Sequence, residues 1–311
     1  MTIVVTGAAG NVGRQVVAAL AEHPGIQVVA TDIREPPSHA GVDNRVLDIR
    51  DPRLEDLFAE VEATSVIHLA AVVTPPPGAT RSYLRSVDVD GTENVVRACV
   101  AAGVKQLVYT SSGAAYGYHP DNPPLLDEAD SLRGDQVFAY SWHKRLIESM
   151  LARYRREHPE LGQLIFRVCT ILGPAVANQI TALFEQPLVV GIRGVPSPFC
   201  FAWDADVVAC LTRGALEGQT GIYNLSADGV MTLREIAEGM GNRYIGAPES
   251  LLERALRSMH GRGWSRHGPE ELGFLRHRPV LSNERLKRDF GYTPRKTTRE
   301  VFALYRDSRG A

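Results

Sequence analysis

The stretch Thr6-Gly7-Ala8-Ala9-Gly10-Asn11-Val12-Gly13 follows the apolar run Ile3-Val4-Val5 and opens a segment in which Val12, Val16, Val17 and Leu20 recur at helical spacing. It reads as strand, glycine turn, helix. Gly7, Gly10 and Gly13 serve a tight turn, close backbone approach to a ligand, and packing of the helix on the strand. The helix N-terminus then offers free N–H groups and a positive dipole end to a pyrophosphate. The spacing Gly-x-x-Gly-x-x-Gly departs from the commoner Gly-x-Gly-x-x-Gly, and a glycine turn alone equally marks any strand-to-helix junction. What adds to it is Asp32, nineteen positions past Gly13 at the end of a second apolar run, Val28-Val29-Ala30-Thr31-Asp32. A carboxylate there accepts from the adenosine ribose hydroxyls and repels a 2′-phosphate, so the pair predicts a dinucleotide site that prefers NAD. Ile33 and Arg34 continue that site, Arg34 being the one neighbour able to swing toward a phosphate.

The chain of 311 residues is long enough for a large core, most naturally a main domain with a smaller lobe. Its 34 Lys and Arg against 36 Asp and Glu, a formal net charge of −2, give no global attraction to nucleic acid or anionic lipid. A small-molecule substrate is the expected partner. Met1 runs at once into the first strand without a basic and apolar leader, and no apolar run approaches the roughly 18 residues of a membrane span. A cytoplasmic protein with no membrane partner is expected. Cys99, Cys169, Cys200 and Cys210 form no Cys-x-x-Cys pair and sit in apolar contexts, so reduced thiols are expected, with neither disulfide nor metal.

Pro36-Pro37-Ser38 marks a loop before a short third strand read at Arg45-Val46-Leu47-Asp48. Ligands collect outside the C-terminal ends of parallel strands, which makes Asp48 and Ile49 candidates for the adenine ring. Asp48 is equally an N-cap for a helix over Pro52 to Phe58. A fourth strand, Ser65 to Ala71, ends in Leu69, Ala70 and Ala71, where small side chains let a cofactor lie against the backbone. His68 within it reads as a hydrogen-bonded core histidine. A long helix, Ser82 to Ala102, ends at Gly103, and the fifth strand, Gln106 to Thr110, leads into Ser111-Ser112-Gly113-Ala114-Ala115-Tyr116-Gly117. This alternation specifies an α/β protein with a doubly wound parallel sheet and right-handed crossovers.

The chemistry lies at Tyr140-Ser141-Trp142-His143-Lys144. Residues four apart share a helix face, so the Tyr140 phenol and the Lys144 ammonium point into one site. A lysine charge, joined by that of an oxidised nicotinamide, favours the phenolate and makes it a general acid/base near working pH. Alone, Tyr-x-x-x-Lys is common on solvated helix faces; here it follows a strand-terminal serine pair inside a dinucleotide fold.

The segments Thr6 to Gly13, Asp32, Asp48, His68-Leu69-Ala70-Ala71, Gly91-Thr92-Glu93-Asn94, Ser111 to Gly117, Tyr140 to Lys144 and Arg167 to Pro174 together resemble the extended short-chain dehydrogenase/reductase family, which includes NAD-dependent epimerases and dehydratases. The resemblance implies NAD as cofactor, Tyr140 as acid/base, and Lys144 as the residue that binds the nicotinamide ribose and lowers the tyrosine pKa. Ser112 is implied as the partner of the substrate oxygen, counting back from Tyr116-Gly117 in preference to the adjacent Ser111. Thr110, Ser111 and Arg167 are expected beside the cofactor. A Rossmann domain is expected over residues 1–172, rejoined by 199–226, with a smaller, mostly C-terminal substrate-binding lobe of residues 173–198 and 227–311. The helices Ser82 to Ala102 and Tyr140 to Glu157, the latter with Leu146, Ile147, Met150, Leu151 and Tyr154, carry more apolar residues than one sheet contact requires. The equivalent pair in the family forms a four-helix interface, so a homodimer is expected.

Three functions compete: hydride transfer between NAD and a hydroxyl or ketone carbon, nucleotide-sugar epimerisation or dehydration, and redox sensing without turnover. The trio Ser112, Tyr140 and Lys144 argues against the sensor. Sugar-nucleotide members typically carry Arg-x-x-Asn after the sixth strand and Pro-x-Arg-x-Gly-Asp in the small lobe. This chain reads Arg167-Val168-Cys169-Thr170 and Leu275-Arg276-His277-Arg278-Pro279-Val280-Leu281, which favours a substrate without a nucleotide. The segment His260 to Gly268 and the later Arg276-His277-Arg278, mixing positive charge, Trp264 and glycine, read as a solvated loop of the small lobe or a mobile wall over the pocket in preference to a nucleic-acid or phosphate patch.

Overall fold

The protein is described by a computed structural model that covers residues 1–261 and 272–310. Most of His260 to Gly268 therefore lies outside the described residues. The centre is a sheet of seven strands: β1 (Thr2–Thr6), β2 (Gln27–Asp32), β3 (Val42–Val46), β4 (Ser65–His68), β5 (Gln106–Ser112), β6 (Gly162–Val168) and β11 (Gly221–Leu225). Their spatial order is β11-β6-β5-β4-β1-β2-β3, and every pairing is parallel. The order reverses at β1, which places the glycine turn at the switch point where open parallel sheets bind ligands.

Strands buried on both faces read as continuous apolar runs, and β1 is buried throughout. On one face, α1 (Asn11–Ala21) contributes Val16, Val17 and Leu20 and α7 (Asp204–Leu216) contributes Val207 and Leu211 to a core with Ile3, Val5 and Phe166. On the other, α2 (Leu54–Glu60), α4 (Gly91–Ala101) and α5 (Ala139–Glu157) pack Phe58, Val95, Cys99, Ile147 and Leu151 against Val4, Val66 and Leu107. The helix expected over Ser82 to Ala102 divides into α3 (Arg81–Arg85), a π-helical turn Ser86–Asp90, and α4.

The third strand lies three residues earlier on the N-terminal side than its apolar residues suggest. It starts after Gly41, which has φ +77, and stops at Val46, although Leu47 N–H still donates to the Asp32 carbonyl at 2.9 Å. As an edge strand it buries too little to stamp a pattern on its sequence. Strand β5 runs two residues further than expected, because Ser111 and Ser112 remain in register with Arg167 and Val168.

A second core forms from Leu172, Phe184, Val189, Phe199, Phe201, Met231, Leu233, Ile236, Val301, Phe302 and Tyr305. It is framed by three strand pairs: β7 (Thr170–Leu172) with β10 (Phe201–Trp203), β8 (Leu188–Ile192) with β13 (Arg243–Ala247), and β9 (Pro198–Phe199) with β12 (Met231–Thr232). The helices α6 (Gln179–Phe184), α8 (Leu233–Gly239), α9 (Glu249–Gly261), α10 (Leu272–Arg276) and α11 (Thr298–Asp307) belong to this part of the chain. Phe199 and Phe201 thus pack in the small core, whereas Leu286 and Phe290 return to the main one. Capping boxes form at Thr232 with Glu235 and at Thr297 with Glu300, as their spacing predicts. Among the described residues no helix is long and apolar enough to cross a membrane.

Candidate active site

The glycine turn is built by exclusion. Gly7 has φ +73, and a Cβ there would lie 2.5 Å from Ala70 N; a Cβ at Gly13 would lie 2.2 Å from the Gly7 carbonyl oxygen. Gly7 therefore lets β1 and the end of β4 approach, and Gly13 lets α1 sit on the turn. Gly10 precedes α1 in an extended conformation, with no side chain capping the helix. The first-turn N–H groups are left for an anion. Asn11 Nδ2 is buried there without a hydrogen-bond partner among the described residues. Val12 packs at the edge of the main core.

Asp32, at the end of β2, accepts from Ala9 N–H at 3.1 Å through Oδ2 and from Arg34 N–H at 3.1 Å through Oδ1. Two backbone amides thus fix its carboxylate beside the turn. The Arg34 guanidinium is 3.9 Å from it and its side chain is 70% exposed. Ile33 is exposed on the rim. Asp48 pairs with Arg50, whose Nη2 donates to it at 2.6 Å and holds it below the usual carboxylate range. It does not cap α2, whose N-terminus has no side-chain cap. Ile49 is buried in the core behind α4. Leu69 N–H donates to the Thr6 carbonyl at 3.1 Å, so the Leu69-Ala70-Ala71 backbone leaves β4 beside the glycine turn. His68 is fully buried between the Thr6 and Thr92 hydroxyls at 2.6 and 3.0 Å, and burial pushes its pKa down to about 3. It is a neutral core residue.

Strand β5 and helix α5 bring in the side chains expected to react. The Ser112 hydroxyl oxygen accepts from Ala114 N–H at 3.1 Å, leaving its proton free to donate. It also faces the Tyr140 phenol closely enough to favour the phenolate, while burial pushes that phenol well above the ordinary tyrosine range. Helix α5 is moored here by Ser141, whose hydroxyl donates to the Ala114 carbonyl at 2.6 Å. One turn along, Lys144 Nζ lies 5.6 Å from the Tyr140 ring centroid and donates to the Thr110 carbonyl at 2.8 Å and the Tyr109 hydroxyl at 2.9 Å. Burial lowers its pKa to about 8, against the opposing pull of Asp88 and Glu148. Thr110 Oγ1 is buried beside it with no partner among the described residues.

Two expected cofactor residues are committed to the framework. Ser111 donates to Glu148 Oε1 at 2.5 Å, and Arg167 pairs with Glu148 at 2.8 Å through Nη2. Arg167 Nη1 donates to the Tyr116 hydroxyl and the Glu128 carbonyl, so none of its nitrogens is left for a cofactor. Sequence reasoning missed Glu148, although it stands four residues past Lys144 on the same helix face. It also missed Asp88, which accepts from Val72 N–H at 2.8 Å and meets His143 Nδ1 at 2.9 Å. The π-helical turn that carries Asp88 left no trace in the apolar spacing.

The fit to a nicotinamide dinucleotide rests on the turn that side chains would fill, the uncapped helix N-terminus, and the orphaned Asn11 Nδ2 and Thr110 Oγ1. The profile of the NAD dependent epimerase/dehydratase family matches residues 3–189. An uncharacterised protein of Mycobacterium tuberculosis is 27% identical over 99% of this chain and 84% of its own length. An L-arabinose 1-dehydrogenase (NAD(P)(+)) of Haloferax volcanii is 40% identical over 35% of this chain and 40% of its own. The UDP-glucose 4-epimerase of Thermus thermophilus, solved in complex with NAD, superposes with a TM-score of 0.76 at 23% identity, covering 100% of both chains.

Proposed function

The chain belongs to the NAD dependent epimerase/dehydratase family, and on that premise we propose that this NAD-dependent enzyme is a net oxidoreductase acting on a hydroxyl or ketone carbon of a substrate without a nucleotide. The observation that carries the reading is the convergence of Ser112, Tyr140 and Lys144 at the C-terminal end of β5.

When bound, NAD supplies the hydride acceptor or donor. The glycine turn with Asn11 would hold its pyrophosphate, Asp32 its adenosine ribose, and Lys144 with Thr110 its nicotinamide ribose. In the oxidation direction Ser112 donates to the substrate oxygen and Tyr140 takes the hydroxyl proton at its phenolate oxygen; in reduction the phenol returns it. Lys144 stabilises the phenolate by its charge. Proximity of these groups replaces solvent as proton carrier.

Epimerisation or dehydration of a nucleotide sugar is the second reading, favoured by the family's name. Against it stands Thr170, where such members carry the substrate-holding Asn; its hydroxyl accepts from Arg278 Nη2 at 3.2 Å. The half-buried Leu146 and Met150 on α5, with Val87 and Val100, support a homodimer through the paired helices. A dehydrogenase screen of alcohols, hydroxy acids and nucleotide sugars with NAD, read at the nicotinamide absorbance, tests the proposal. Turnover of a nucleotide-free substrate supports it. Micromolar binding of UDP, GDP or dTDP to the NAD-loaded protein would move the epimerase/dehydratase reading into first place.

A further inference from the structure

Arg278 stands out among the charged side chains. Its guanidinium lies 3.7 Å from the ring centroid of Phe199 and 4.3 Å from that of Phe274. Nη2 is spent on Thr170, but Nε and Nη1 are buried with no hydrogen-bond partner among the described residues. Among the described residues the titratable groups that bear on it are Tyr118, Cys169 and Cys200, none of them a carboxylate. A buried cation is ordinarily paired, and an arginine with idle donors in an aromatic enclosure is poised for an anion brought from outside.

Its position is tied to the reacting groups. The Tyr118 ring packs on Phe138, two residues before Tyr140, and on Phe274, whose ring the Arg278 guanidinium covers, at 4.8 and 5.3 Å between ring centroids. An anion at Arg278 would therefore be part of the molecule whose oxygen meets Ser112 and Tyr140.

We propose that Arg278 anchors a carboxylate of the substrate, so that the enzyme acts on hydroxy or keto acids in preference to neutral alcohols. A monoanion neutralises the single guanidinium; a phosphate carrying nearly two charges leaves excess negative charge among aromatic rings and is disfavoured. The inference rests on the redox reading for the identity of the reacting group, but not for the anion site itself.

Calorimetry on the full-length, NADH-loaded protein tests the site, with benzoate and acetate as probes, benzamide and acetamide as neutral counterparts, and inorganic phosphate as the rival anion. The acids bind at least tenfold more tightly than the amides and more tightly than phosphate, and Arg278→Met removes the difference. Equal binding of acid and amide by the wild-type protein, no binding of either acid, or tighter binding of phosphate overturns the carboxylate assignment, whether or not the variant folds. A parallel assay sets 2-hydroxy acids against their amides with NAD. Equal turnover of both overturns the inference and leaves the redox reading standing. Acid-selective binding without turnover of any member does the reverse.

Discussion

Lys144 donates its ammonium to the Tyr109 hydroxyl at 2.9 Å, one turn of helix from Tyr140, in a site where only 4% of the lysine is exposed. The lysine proposed to carry the charge supporting the phenolate is thus desolvated, and its pKa falls to about 8. A lysine is cationic below its pKa, so the productive form is lost as pH rises through about 8. In the reduction direction, where the Tyr140 phenol is already protonated, the kcat/KM for NADH, which reports groups of the free enzyme, is expected to fall about tenfold per pH unit above that point. Lys144→Met should be slow at every pH and lack this limb. A wild-type profile flat from pH 7 to 10 would remove the charged lysine from the account.

Glu148 holds Arg167 and Ser111 together inside the protein, with 3% and 6% side-chain exposure for the ion pair. Removing one member strands the other charge, which typically costs about 3–5 kcal/mol. Glu148→Ala should therefore unfold in markedly less urea, while the double change Glu148→Leu with Arg167→Met recovers most of the loss. A single Glu148→Ala variant as stable as the parent would show that the pair is not a framework element.

Asp32 is held by two backbone amides where the adenosine ribose would lie, and Arg34 points to solvent. NADP should bind at least tenfold more weakly than NAD by calorimetry, and Asp32→Ser should narrow the gap. Equal affinity of the parent protein for both would contradict this role for Asp32.

The paired helices α4 and α5 leave Leu146, Met150 and Val100 only partly covered. Light scattering at micromolar concentration should return twice the chain mass, and Met150→Asp should halve it. A monomer mass for the parent protein rules out the interface.

The parts legible in the sequence are those ruled by short-range geometry. The glycine turn declares itself because a Cβ at Gly7 or Gly13 collides with backbone. Tyr140 and Lys144 declare themselves because helix spacing puts them on one face. The capping boxes at Thr232 and Thr297 follow from three-residue spacing alone. What escaped depends on other things. The third strand is an edge and half exposed, so no alternation marks its ends. Asp88 lies in a π-helical turn that breaks the 3.6-residue phase. Arg167 entered the site reading through the family resemblance, and its pairing with Glu148 on the preceding helix α5 leaves no local sequence signal. The setting of Arg278 assembles from Tyr118, Phe199 and Phe274, and no local pattern announces that meeting.

The central claim is that Tyr140 exchanges the proton while the cofactor exchanges the hydride, and Tyr140→Phe separates the two. The substitution removes one hydroxyl that faces Ser112 and leaves the glycine turn, Asp32 and Lys144 in place. With the best substrate from the dehydrogenase screen, kcat is predicted to drop by about 10²–10⁴-fold while NAD affinity by calorimetry stays close to that of the parent. A Tyr140→Phe enzyme that turns over at near the parental rate, with NAD still bound, would contradict the account.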